Sequence, residues 1–240
     1  MKFYAKSEIG KIRPNNEDAF LAKKINEVYI FLVCDGMGGH NKGEVASQMA
    51  IEHVDSAEFN LDGKSDEDIL DYIKDLIYHA NIKIYLKGKK NLEMLGMGTT
   101  FSMALYYRNK IYMAHVGDSR IYVLEDKMKM ISKDHTLLNE FKDRGIVLKE
   151  DEEKKIKNMI TRAVGSSSVV ETETSVMDAY DVKKILICSD GVNIYLDDEA
   201  LEKELMKNET PEKIVSNIID CALNAGGRDN ITCLVAEIGD

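Results

Sequence analysis

The chain has 240 residues, 44% hydrophobic and 31% charged, with 32 Lys and Arg against 42 Asp and Glu; this excludes a disordered or fibrous chain and supports one large core or two small ones. The formal net charge of −10 argues against a non-specific hold on nucleic acid or anionic membrane, because both need a basic face. The acid surplus gathers in the second half, where 25 acidic side chains meet 16 basic ones, against 17 and 16 in residues 1–120.

In chain order, the alternation in KFYAKS, the segment DAFLA and the apolar run Val28 to Cys34 predict strands, the last ending at the glycine-rich DGMGGHNKG. Apolar residues at three- and four-residue steps predict helices from about Glu44 to Phe59 and from about Glu67 to Leu86. From Gly98 to Ile131 four β-rich segments separated by RNK, GDS and ED predict a meander. A polar helix is expected from about Thr136 to Lys157, then a strand KILICSD, helices from about Asp198 and Pro211, and a closing strand NITCLVAEI. Strands and helices arrive in separate blocks, so the fold class is a layered α+β architecture, not a βαβ repeat. Two prolines and no linker-like stretch favour a single domain over 1–240.

The four cysteines, Cys34, Cys188, Cys221 and Cys233, stand apart in apolar surroundings with no CxxC pair and read as buried free thiols of a reducing compartment. The N-terminus has no apolar signal segment, and no run approaches a membrane span, so a cytoplasmic location is expected.

Six carboxylates sit at predicted strand ends or turns: Glu17, Asp18, Asp35, Asp118, Asp190 and Asp229, with Gly36 and Gly191 directly after two of them. A lone Asp-Gly is ordinary turn chemistry. Several brought together repel one another unless a cation neutralises them, and an all-oxygen set suits a hard divalent ion, Mg²⁺ or Mn²⁺.

Eight segments then fall into one ordered series: SEIGKIRPNNED (Ser7 to Asp18), VCDGMGGHNKGEVAS (Val33 to Ser47), GTT (Gly98 to Thr100), VGDSRIY (Val116 to Tyr122), KDHT (Lys133 to Thr136), TRAVG (Thr161 to Gly165), LICSDG (Leu186 to Gly191) and GGRDNIT (Gly226 to Thr232). This series resembles the PP2C-type metal-dependent protein serine/threonine phosphatases, above all the compact bacterial members. The resemblance implies an α-β-β-α sandwich, two stacked mixed or antiparallel sheets flanked by helices on both outer faces. It implies hydrolysis of phosphoserine and phosphothreonine by a hydroxide bridging two Mn²⁺ or Mg²⁺ ions, with a weaker third ion. By the same resemblance Asp35 bridges the core ions, Asp190 and Asp229 complete one site, and the Gly36 carbonyl serves the other. Asp118 shares the third ion with Asp190, Arg13 grips the substrate phosphate, Glu17 and Asp18 hold metal-bound waters behind the ligands, and Asn230 also stands behind the ligands. The implied partners are phosphorylated proteins and an opposing Ser/Thr protein kinase, and a monomer is expected.

The chain departs from the family where eukaryotic members carry a histidine after Asp-Gly: Met37 stands there, with His40 three residues on as a candidate general acid against the reading of a plain loop residue. The flap, about 136–160, lacks the His-Pro pair of bacterial relatives and reads EEKKIKN. Two rivals remain, a metal-dependent phosphatase of small phosphoesters and a non-catalytic phosphoprotein-binding module, the latter expected to have lost Arg13 or a metal acid. A cysteine phosphatase is excluded by spacing, since Arg228 follows Cys221 by seven positions and not six.

Overall fold

The computed structural model describes residues 1–38 and 42–239. In strand β3 (Val28–Met37), Ile30, Leu32 and Cys34 face one side and Phe31 and Val33 the other, all buried. A strand is apolar at every position only where both of its faces are covered. Two sheets stacked face to face, each backed by helices, meet that condition.

One sheet runs in the order β1 (Lys2–Glu8), β11 (Ile231–Glu237), β10 (Lys184–Cys188), β7 (Arg120–Leu124), β8 (Met128–Met130). The other runs β2 (Asp18–Ile25), β3, β5 (Phe101–Tyr107), β6 (Lys110–Val116), β9 (Glu173–Asp178), with the two-residue β4 (Gly98–Thr99) on the end of β3. Every pairing is antiparallel among the described residues, so the sheets are not mixed. Phe31, Val33, Met113, Ile121, Ile187 and Leu234 fill the layer between the sheets. Helices α1 (Gly43–Asp55) and α2 (Asp66–Lys90) cover the second sheet with Val54, Ile73, Ile77 and Ile84. Ser65 and Asp68 cap α2 reciprocally, and lysines in its last turn complement the helix dipole. Helices α6 (Asp198–Leu205) and α7 (Pro211–Ala225) cover the first sheet. Among the described residues, no helix is long and apolar enough to cross a membrane.

Several expectations are corrected. The β-rich block is not one meander: β5 and β6 pair in one sheet and β7 and β8 in the other, so the chain changes sheets at Gly117–Ser119. The stretch expected as one helix holds two short ones, α3 (Leu137–Asp143) and α4 (Glu150–Ile156), separated around Gly145 at φ +71°. Helix α1 stops at Asp55, short of Phe59. Strand β3 passes through Asp35 to Met37 because β4 pairs with its end. Cys221 is exposed: it lies beside, not within, the stripe Ile214, Val215, Ile218, Ile219 and Ala222 by which α7 is buried.

Candidate active site

At one edge of the sandwich the apolar layer between the sheets ends and acids take its place. Continuing the alternation of Phe31 and Val33 puts Asp35 on the inter-sheet side, with Asp18 directly opposite on β2. From the facing sheet Ser189 and Thr232 extend the inward rows of β10 and β11, and both hydroxyls donate to Asp18 Oδ2, at 2.8 and 2.7 Å. Asp190 opens the single-turn α5 (Asp190–Asn193) just past β10, near enough for its charge to raise the Asp35 carboxyl. Asp229 stands immediately ahead of Asn230 and β11, and Asp118 lies in the sheet crossing. Five of the six sequence-selected carboxylates thus converge where two sheets part. Glu17 joins them from the residue before β2.

Threonines fix the Asp35 backbone: its N–H donates to Thr100 Oγ1 at 2.8 Å, and its carbonyl accepts from Thr100 N and Thr99 Oγ1. Gly36 is sterically required. A Cβ there would lie 2.2 Å from the Gly43 carbonyl oxygen, where α1 begins, and 2.6 Å from that of Glu17.

The charge pattern is unfavourable as it stands. Burial, then the charges of Asp18, Asp190, Asp118 and Asp229, push the Asp35 carboxyl well above the ordinary range. Asp18 rises to about 7, from burial and the neighbouring Asp190 and Asp229. Asp118 rises to about 7 through burial, Asp190 and Asp134, and Asp190 to about 6 through burial and Asp229, opposed by Arg13. Buried Asp18 Oδ1 and Asp118 Oδ1 have no hydrogen-bond partner among the described residues. Buried carboxylate oxygens without donors, in a cluster that resists its own ionisation, fit hard divalent cations. No three aspartate ligand atoms lie mutually within 4.8 Å among the described residues.

Arg13 and Asn230 tie the cluster to the N-terminal loop. The Arg13 guanidinium donates to Asp229 Oδ2 at 2.8 Å while its side chain remains 47% exposed, so much of the fork faces outward. Asn230 donates to the carbonyls of Ile9 and Asn15 and accepts from Glu17 N–H, so it acts as a strut for the loop that carries Arg13. Burial raises the Glu17 carboxyl, against the pull of Asn15 and the Gly43 N–H. His40 lies outside the described residues.

Sequence reasoning missed the hydroxyls of Ser189, Thr232, Thr99 and Thr100; their polar positions in otherwise apolar strands were the available signal. His115 and His135 pack as a tilted pair, with ring centroids 4.9 Å apart, against the sheet crossing. His135 Nδ1 accepts from Gly117 N–H at 3.0 Å, and His115 Nε2 lies 3.0 Å from the Gly117 carbonyl. These two rings and Glu173 are the only His, Cys, Asp or Glu group among the described residues with ligand atoms mutually within 4.8 Å. Both nitrogens of His115 are already engaged, by Ser102 and Gly117, so the cluster serves as a polar support and not as a metal cage.

A family model described as protein phosphatase 2C matches residues 13–232. The chain is 33% identical over 236 residues to the serine/threonine phosphatase stp of Listeria innocua, covering 97% of this chain and 94% of that one. Among solved structures it superposes on a bacterial serine phosphatase bearing an arginine-to-lysine mutation with a TM-score of 0.91 at 29% identity, covering 100% of this chain and 98% of the other. It superposes on the catalytic domain of the serine threonine protein phosphatase PstP, in complex with two manganese ions, with a TM-score of 0.85 at 31% identity and coverage of 100% and 98%.

Proposed function

The chain belongs to the protein phosphatase 2C family, and from that premise we propose how its residues divide the work of hydrolysing phosphoserine and phosphothreonine in proteins. It is a metal-dependent protein serine/threonine phosphatase. The observation that carries the assignment of roles is the convergence of Asp18, Asp35, Asp118, Asp190 and Asp229, with two buried carboxylate oxygens lacking donors, beside an outward-facing arginine.

In this reading Asp35, Asp190, Asp229 and the Gly36 carbonyl would hold two divalent cations, and Asp118 with Asp190 would hold a weaker third. Divalent cations in such a site lower the pKa of water and neutralise phosphoryl charge. That contribution matters, because phosphate monoesters need acceleration of up to about 10²¹-fold while a positioned acid or base supplies only about 10²–10⁴. Arg13 receives the phosphate through the part of its fork that Asp229 leaves free, a planar donor set suited to two oxygens at once. Glu17 and Asp18 accept hydrogen bonds from water at the rim and the floor of the cluster. Both Mg²⁺ and Mn²⁺ suit an all-oxygen set. The whole of 1–240 acts as one catalytic domain, a monomer in the cytoplasm, opposing a Ser/Thr protein kinase.

The test compares phosphate release from matched phosphothreonine, phosphoserine and phosphotyrosine peptides and from a small phosphoester, each with and without Mn²⁺. Faster metal-dependent release from the first two supports the proposal. Preference for phosphotyrosine or for the small ester contradicts it.

A further inference from the structure

A cavity of about 570 Å³ adjoins the carboxylate cluster, lined by Asp118 and Asp190 of the cluster and by Thr136, Lys142 and Lys157 of the flap. That volume lies in the range of about 300–1,000 Å³ typical of ligand sites. Its charges are unlike those of the molecule as a whole. Four cations line it, Arg120, Lys142, Lys157 and Arg228, against three carboxylates, Asp118, Asp134 and Asp190. Two of those carboxylates belong to the metal cluster. The third, Asp134, is gripped by Arg120 through Nε and Nη2, at 3.0 and 2.7 Å. Lys142, Lys157 and Arg228 remain, and among the described residues their side chains make no ion pair and no hydrogen bond.

The three come from separate segments. Lys142 lies in the last turn of α3, Lys157 one residue past α4, and Arg228 in the loop beside Asp229. The Arg228 backbone is fixed by the Tyr195 hydroxyl, which accepts its N–H at 3.0 Å. Three unpaired cations around one groove, on a chain of net charge −10, repel one another and lack counter-charges of their own. The flap contributes two of them and the loop before β11 the third, so a segment lying in the groove meets positive charge from both.

We infer that this groove binds the peptide chain around the phosphorylated residue and selects substrates with acidic side chains next to the phosphate. The inference rests on the phosphatase reading of the adjoining cluster and adds the class of protein substrate. Charges at an open groove of this kind act mainly on capture, and salt weakens them.

The experiment measures kcat/KM with Mn²⁺ for three phosphothreonine peptides that differ only in the flanking residues: glutamate, alanine or lysine. The wild type at low salt should prefer the acidic peptide over the neutral one by about fivefold to tenfold, the combined effect of a few exposed charge pairs, and the preference should shrink as salt is raised. In K142E/K157E, and separately in R228E, the ratio of acidic to basic peptide should fall or invert; a ratio cancels any general loss of activity. Equal rates on all three peptides in the wild type overturn the inference while leaving the phosphatase reading intact, as does a preference that survives charge reversal. Metal-dependent hydrolysis of a small ester with no turnover of any peptide overturns both.

Discussion

Arg13 and Asp229 form the contact from which the residue-scale chemistry departs, because the arginine holds a carboxylate that the proposed function gives to a cation. Its removal therefore has two separable effects. Arg13→Ala should weaken substrate capture by about 1.5–3 kcal/mol, the range for charge-assisted hydrogen bonds, yet should not weaken Mn²⁺ binding, since it frees Asp229 Oδ2. Calorimetry showing lost Mn²⁺ affinity would contradict this. Asp118 gives a second prediction. Asp118→Ala should leave two ions bound in a crystal soaked in millimolar Mn²⁺ and should slow phosphoserine hydrolysis more than that of para-nitrophenyl phosphate, whose leaving group needs little protonation. Equal losses on both substrates would reduce Asp118 to a structural role. The acids themselves were legible in the sequence, because a carboxylate terminating an apolar run has few reasons to be there. The hydroxyls of Ser189 and Thr232 were not, since serine and threonine occur in strands for many reasons and only the antiparallel register brings both to Asp18. The burial expected for Cys221 failed because its position lies just off the apolar stripe of α7.

At the scale of elements, the crossing at Gly117–Ser119 decides where Asp118 goes, and two imidazoles hold it. His135 can accept from Gly117 N–H only while its Nδ1 is unprotonated. Burial, then its partners His115 and Arg162, lower the His135 pKa to about 3, and burial lowers that of His115 to about 4. Both folded values lie below the ordinary value of about 6.5. The stability they contribute is therefore complete above pH 6.5 and is lost as pH falls through 6.5 towards 4 and 3. His135→Asn supplies an amide oxygen as a non-titrating acceptor, so its urea midpoint should decline less steeply than that of the wild type between pH 7 and 4. Parallel curves would show that His135 does not supply this linkage. The four strands around this crossing were each legible from β-branched and aromatic content. Their division between two sheets was not, because a GDS turn reads alike whether it returns the chain to its neighbour or carries it across. Strand β9 escaped notice for another reason: four of the six residues of ETSVMD are polar, and β6 recruits it to an edge through backbone pairing.

Over the whole molecule, the sandwich supplies two apolar faces that exclude water and one open edge where strands from both sheets end in acids. The layered class followed from the block order of strands and helices, and the stacked sheets from the motif series. The charge balance around the flap groove needed the folded chain, because Lys142, Lys157 and Arg228 are distant or unremarkable in sequence and meet only across the cavity. The central claim is that this edge is a metal-dependent phosphatase centre built on Asp35. The most direct measurement is phosphate release from a phosphothreonine peptide by the wild type and by the isosteric Asp35→Asn variant, in excess EDTA and after millimolar Mn²⁺ is restored. EDTA should abolish wild-type release, Mn²⁺ should restore it, and Asp35→Asn should stay at least about 10²-fold slower with Mn²⁺ present, because one ligand of a site that works as a unit is lost. Undiminished wild-type release in EDTA, or an Asp35→Asn enzyme as fast as the wild type, would contradict the central claim.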